Sequence, residues 1–396
     1  LKAGVELSDI FLICSNGLHR KNTKAEIQGL LGEETIDRFW DRGQIVNHDS
    51  EDWDNLVDLG REEVYGSRVI MNKQVFESDL AVLIGHTLGN PYGGYSGGYK
   101  HCATGITHWK CIGAHHTPAV MHRSDFIPVS ANSLMRSKFD AIGAHMEKRM
   151  GKRFFVCDAV LDTHQRQIAV LTGAAEQVQP LSWKIADTRT YVHWARKKYS
   201  VMVFGMPQAF HYGNGMGTNP ILMMQAISAQ IIRHKRILVE NPVVICSSSC
   251  NGYFHDEEFP AYREVFDLFQ RDYANTLPDV ERFSEYLATR QDYIDKYRFN
   301  HGYHPYHAFS MISCAHIAEK HCAAIYIVGA QEPGYARGMG MKTRASFEEA
   351  LADAAKYVGP TPNILALPKA FKTASVHLCM VDEEASGIQD RACPSH

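Results

Sequence analysis

Short, continuous apolar runs recur along this chain, each followed by a polar stretch of helical pattern, and that alternation restricts it to the α/β class. Ile10-Phe11-Leu12-Ile13-Cys14, Arg68-Val69-Ile70-Met71, Leu80-Ala81-Val82-Leu83-Ile84, Phe154-Phe155-Val156-Cys157 and Ile168-Ala169-Val170-Leu171 read as buried strands in the first half. The second half repeats the pattern with Val201–Gly205, Val243–Cys246, Ala324–Val328 and Asn363–Leu367. Helical patterns lie between them, near Thr23–Leu31, Pro220–His234, Tyr262–Tyr297, Ala308–Lys320 and Ser346–Tyr357. Continuous rather than alternating apolar strands imply mainly parallel sheets covered on both faces, with ligands at the strands' carboxyl ends.

At 396 residues the chain exceeds what one hydrophobic core usually serves. Around Tyr191 to Tyr199 the pattern turns polar and basic before the strand at Val201 restarts the alternation, which places a domain boundary near residue 195. The expected architecture is two Rossmann-like α/β domains, 1–194 and 195–362, with the active site in the cleft between them. A C-terminal segment, 363–381, is expected to join the first domain. The tail after Val381, acidic and then Pro/Ser-bearing, is expected to fray. No solenoid repeat or low-complexity segment is present.

With 45% apolar and 21% charged residues the chain is too hydrophobic for disorder. A net charge of -3 and a pI near 6.7 supply no field for nucleic acid or an anionic membrane, so small molecules are the expected partners. No apolar run approaches the ~20 residues needed to span a bilayer, and no secretion leader opens the chain, so a cytoplasmic location is expected. The ten cysteines are scattered without a CxxC pair and read as buried thiols. Twenty-one histidines, several beside glycine-rich loops, invite a metal or proton-transfer role.

The chemistry concentrates in Gly85-His86-Thr87-Leu88-Gly89-Asn90-Pro91-Tyr92-Gly93-Gly94-Tyr95-Ser96-Gly97-Gly98-Tyr99-Lys100, directly after a strand. Six glycines in sixteen residues allow close backbone approach to a ligand and let N–H groups point at an anion, with Lys100 closing the cradle. The run is not a P-loop, because Tyr99 precedes the lysine and His101 follows it. Tyr92, Tyr95 and Tyr99 suggest a planar ring sandwiched among them, where a bland surface loop would not hold three tyrosines. Sixteen residues after Lys100, His115-His116 supplies imidazoles, and since neighbours point apart only one should face a given site. His19 ends the first strand, at the edge where a parallel sheet delivers catalytic groups.

The run Asn90 to Lys100, followed by His116 and preceded by Gly17-Leu18-His19-Arg20, resembles the lactate racemase family of nickel-pincer enzymes. Strand and loop order fits through most of residues 1–375, and Leu222-Met223-Met224-Gln225-Ala226-Ile227 looks like the family's second-domain site segment. The resemblance implies a nickel-pincer nucleotide, a niacin-derived mononucleotide whose pyridinium carries two sulfur-containing arms around nickel. Lys100 matches the lysine joined to it through a thioamide, with Tyr92, Ser96, Gly97, Gly98 and Gln225 around the cofactor, and His116 matches the nickel ligand. The implied reaction moves hydride from C2 of a 2-hydroxy acid to the cofactor while a histidine takes the hydroxyl proton, then returns hydride to either face. Enzymes that make the cofactor are implied partners.

His19 matches one of the two acid–base histidines. The other position is Asn90, which cannot accept a proton, and His86 on the same loop is the candidate replacement; Asn90 is kept as a catalytic and substrate-contacting position. Substrate contacts are expected from Arg20, Asn90, Gln225 and Ser228, although Ser228 stands where the family has a lysine. A segment expected upstream of Leu1 is absent, so the first domain is read as truncated at its start. His211-Tyr212-Gly213-Asn214 and Asn219 suggest a wetter pocket than lactate needs, hence an aldonate. Two rivals remain: a zinc hydrolase using His115 or His116, and a nucleotide- or phosphate-binding protein without catalysis.

Overall fold

The computed structural model describes residues 4–123, 125–209, 212–271, 276–372 and 376–382. Its second half is built on a five-stranded sheet ordered Lys342–Arg344, Ala324–Val328, Leu238–Ser247, Tyr199–Gly205 and Ile364–Ala366, with every neighbouring pair parallel. Chain order reverses between Tyr199–Gly205 and Ile364–Ala366, so the crevice at their carboxyl ends is where a ligand belongs. The helix Pro220–His234 is buried along nearly its whole length, which its apolar sequence requires. Asn219 starts it by accepting the Ile221 and Leu222 N–H groups, with Pro220 at the first helical position.

The first half departs from a single parallel sheet. Leu12–Cys14 pairs in parallel with Ile45–Asn47, and Ala81–Thr87 with Phe154–Leu161, but Gln167–Ala174 returns antiparallel across the turn at Asp162. Arg68–Asn72 is one arm of an antiparallel hairpin with Leu56–Arg61. The Glu62 carboxylate folds that hairpin's connection by accepting the N–H groups of Val64, Tyr65 and Ser67. Nor is the three-stranded sheet covered on both faces, since Ile84 and Val170 are 75% and 54% exposed. The expected second Rossmann-like domain is therefore not what the first half shows.

The C-terminal segment is divided between the halves. Ile364–Ala366 completes the five-stranded sheet, while His377–Met380 pairs with Tyr191–Ala195. The tail expected to fray lies, beyond residue 382, outside the described residues, as do Cys393 and His211. No helix among the described residues is long and apolar enough to cross a membrane.

A polar clamp joins the two halves. Tyr297, on the helix Gln291–Phe299, donates to the Gly17 carbonyl and accepts the Ser50 N–H, both at 2.9 Å. The His304 N–H reaches the Leu18 carbonyl at 3.0 Å, and Lys21 and Arg298 share the Asp49 carboxylate at 2.7 and 3.1 Å. Nearby, His304 lies 2.9 Å and His108 3.6 Å from Glu51. Burial raises the Glu51 pKa, but these two imidazoles outweigh it and hold the carboxyl down to about 2. From the first half, the Gly17 N–H bonds the Gly105 carbonyl at 3.0 Å, and a side chain at Gly17 would meet the Thr104 carbonyl oxygen at 2.2 Å. Gly17 also has φ +56°, so only glycine lets this loop lie so close. Tyr297→Phe removes two buried hydrogen bonds, and chemical denaturation should show a loss of about 1–3 kcal/mol; an unchanged midpoint would mean that the clamp is idle.

Candidate active site

The switch-point crevice opens into a cavity of about 640 Å³. His19, Lys100 and His116 reach it from the first half, Gln225 and Arg233 from the helix Pro220–His234, and Tyr212 and Phe371 from beyond the strands Tyr199–Gly205 and Ile364–Ala366. The three residues expected to carry the chemistry thus share one chamber, and among the described residues no carboxylate lines it.

Lys100 sits in the first turn of the helix Tyr99–Gly105. With no acidic neighbour, burial and then the Arg136 charge lower its pKa to about 8. The glycine run holds it there differently from a phosphate cradle. The Gly98 N–H donates to Asp158 at 2.7 Å and the Tyr99 N–H to Gln179 at 2.9 Å. A side chain at Gly97 would lie 2.3 Å from the Thr87 hydroxyl, and one at Gly98 would lie 2.1 Å from Gln179. Ser96 bonds the Leu88 N–H and the His86 carbonyl. Ser96, Gly97 and Gly98 therefore shape the loop and lie outside the cavity lining, although they were expected to meet a cofactor. The tyrosines are likewise divided: Tyr95 stacks on Trp183 at 4.9 Å, Tyr99 bonds Glu147, and Tyr92 alone faces the chamber.

His116 follows the short helix Trp109–Gly113. Its Nδ1 lies 2.7 Å from Nδ1 of the buried His115, whose Nε2 lies 3.4 Å from the Ala103 carbonyl. A carbonyl can only accept, so His115 must donate through Nε2 and, being neutral, accept through Nδ1. His116 then donates through Nδ1, which leaves its Nε2 with a bare lone pair, the form that binds a metal. Burial, then the Lys100 charge, keeps His116 neutral with a pKa near 3. Only one of the adjacent histidines faces the cavity, and the other sets its tautomer.

His19 projects from the clamped loop, its ring 5.0 Å from His307, edge-on, and 5.4 Å from Tyr303. Its accessible surface opens into the chamber while protein surrounds it, and this burial, followed by Lys100 and Arg20, lowers its pKa to about 4. It is a neutral base near pH 7.

Four other assignments change. His86 lies on the outward face of its strand with Val82 and Ile84, whereas Leu83 and Thr87 point inward, so it does not reach the cavity. Asn90 does line the chamber, but its carbonyl oxygen is committed to the Tyr92 and Gly93 N–H groups at 3.0 and 2.8 Å. Arg20 is held in a fork by Glu26 at 2.6 and 3.0 Å, outside the cavity wall. Ser228 is fully buried against Tyr92. Gln225 lines the chamber: its amide nitrogen lies 3.3 Å from the Tyr92 hydroxyl, and its buried Oε1 has no hydrogen-bond partner among the described residues.

Sequence reasoning missed Arg233, which lines the cavity, and His307, which lies beside His19 but is outside the lining. Arg233 was legible, because Gln225, Ala229 and Arg233 recur every four residues and so share a helix face. His307, whose Nδ1 lies 2.7 Å from the Tyr262 hydroxyl, carries no local motif.

A Rossmann-like sheet with a switch-point chamber lined by a lysine of lowered pKa and two neutral imidazoles defines an α/β protein with a candidate small-molecule site. Residues 1–126 match the lactate racemase N-terminal domain family. The lactate racemase of Lactiplantibacillus plantarum is 28% identical over 169 residues, 42% of this chain and 37% of that protein. That of Thermoanaerobacterium thermosaccharolyticum is 26% identical over 175 residues, 43% of this chain and 38% of that protein. The matched segments thus span less than half of these relatives. The apoprotein structure of the latter enzyme superposes with a TM-score of 0.67 at 18% identity, covering 93% of this chain and 78% of that one. A Thermotoga maritima protein gives 0.57 at 12% identity, with 93% and 85% covered. The chain is a homologue of the lactate racemase family.

Two outcomes follow from the geometry. Amine-selective labelling at Lys100 should rise with pH about a midpoint near 8, because the reactive free amine appears as the ammonium loses its proton; a midpoint near 10.5 would contradict its burial. His86→Gln should leave ligand binding and activity at the parental level, since its side chain faces away from the cavity.

Proposed function

We propose that the chain is a racemase or epimerase inverting C2 of a 2-hydroxy acid, with a nickel-pincer nucleotide attached through Lys100 and held by His116. The observation that carries this reading is the convergence of Lys100, His116 and His19 on one chamber without a carboxylate. The residues fit such a group. Among the described residues no three His, Cys, Asp or Glu side chains converge on a metal site. A zinc hydrolase would need three protein ligands, whereas a nickel ion already held by its cofactor needs a single imidazole, and His116 Nε2 has the free lone pair. When bound, the nucleotide supplies a reversible acceptor for the hydride on C2.

The chain's own groups do the rest. Lys100, with a pKa near 8, is about one-tenth neutral amine at pH 7, the form that would join a thiocarboxyl arm of the cofactor as a thioamide with loss of water. His19 accepts the hydroxyl proton as C2 becomes a carbonyl and returns it as C2 is reduced. Because its pKa is near 4, His19 stays available as a base down to mildly acid pH. Met311, Ala226, Ala229 and Phe371 supply the apolar part of the chamber wall. For a polyhydroxy acid such as an aldonate, the support is the cavity's size and the polar groups of Asn90, Tyr212 and Gln225. Asn219 adds none, being the buried cap of its helix.

Protein co-produced with cofactor-making enzymes should carry an added mass and nickel by intact mass spectrometry and metal analysis. Lys100→Ala should lose the adduct and His116→Ala the nickel, while stoichiometric zinc without added mass would overturn the reading. Chiral chromatography of lactate and gluconate incubated with the holoenzyme should show inversion at C2, slowed roughly 10²–10⁴-fold by His19→Asn. Faster turnover of lactate than of gluconate would remove the aldonate.

A further inference from the structure

Resting on that reading, we infer that Arg233 is the residue that binds the substrate carboxylate. A 2-hydroxy acid enters this chamber as an anion and needs a charge partner. The groups expected for that task are unavailable: Arg20 is forked onto Glu26, and Ser228 is fully buried behind the wall. Arg136 is wholly buried, with its guanidinium on Asp140 and Gln179. Lys100 becomes neutral once acylated by the cofactor. Among the described residues lining the cavity, Arg233 is the remaining cation.

Its setting is that of an unfilled anion site. Arg233 projects from the last turn of the helix Pro220–His234, on the face that presents Gln225, Ala226 and Ala229 to the chamber. Among the described residues its guanidinium has no hydrogen bond or ion pair, unlike the forked arginines at positions 20 and 136. Burial, partly offset by Tyr92, lowers its pKa to about 10, so the charge is retained at a desolvation cost that an incoming anion would relieve. A carboxylate matches the planar fork with two parallel hydrogen bonds. Two turns along the same helix, the Gln225 amide and the Tyr92 hydroxyl bonded to it add polar contacts for the acid's hydroxyl end.

The test uses purified full chain, with and without cofactor, as wild type, Arg233→Gln and Arg233→Lys. Calorimetric titration of the cofactor-free chain with pyruvate and gluconate should give a Kd weakened roughly tenfold to hundredfold in Arg233→Gln and partly recovered in Arg233→Lys. In holoenzyme KM should rise far more than kcat falls, and the cofactor mass at Lys100 should persist. Equal carboxylate binding by wild type and Arg233→Gln, or none by wild type, overturns the assignment. Loss of the adduct together with loss of orthophosphate binding in Arg233→Gln also overturns it, by giving the arginine to the nucleotide phosphate. A wild type that binds carboxylate through Arg233 yet never acquires the adduct supports the anion site and sinks the racemase instead. Should the glutamine variant misfold, the lysine variant decides: it must bind carboxylates with altered affinity, and unchanged affinity refutes the fork.

Discussion

The site depends on a loop that is held from the other half of the chain. Residues 15–22 carry His19, and their carbonyls at Gly17, Leu18 and Lys21 are taken up by Tyr297, His304 and His301 from the other half of the chain. Each bond is modest, about 1 kcal/mol net, but an unpaired buried carbonyl costs more, so the loop has few alternatives once the clamp closes. Asp49 and Glu51 serve the same joint, each balanced by cations or imidazoles, so that buried charge adds registry between the halves. The position of His19 over the chamber is therefore a property of residues about 280 positions away.

Within the chamber a single physical effect tunes three groups. Burial is the leading cause of the lowered pKa at Lys100, His19 and His116, and the Lys100 charge reinforces it at both histidines. A carboxylate nearby would have reversed that logic by holding protons on all three. In the proposed cofactor-linked state the Lys100 charge would be gone and His19 would become a somewhat stronger base, so attachment would be coupled to base strength.

Much of this was legible in the sequence. Continuous apolar runs marked four strands of the five-stranded sheet, three of them to within two residues, because buried parallel strands show no alternation to confuse; Lys342–Arg344 has no apolar run and was missed, and Leu238–Ser247 starts five residues before its run. Lys100, His116, His19 and Gln225 converge as the spacing and the resemblance implied. What failed did so for local reasons. The strand at Arg68 was read as part of a parallel sheet because a hairpin closed by a carboxylate, Glu62, has no turn motif. The helix Ala175–Thr190 was hidden by Pro180 inside it. The glycines before Lys100 looked like a phosphate cradle, since sequence cannot distinguish N–H groups aimed at a ligand from those aimed at Asp158. His86 failed through strand parity alone.

The order of strands across the five-stranded sheet sets a schedule. Ile364–Ala366 docks against Tyr199–Gly205, and the chain beyond it brings Phe371 to the chamber wall. During synthesis the helix bearing Lys100 emerges some 270 residues before that wall exists. Contacts so distant in sequence form late in folding, so the lysine is made first and enclosed last. The wall around Lys100 is therefore complete only when the segment through Phe371 has been made and docked.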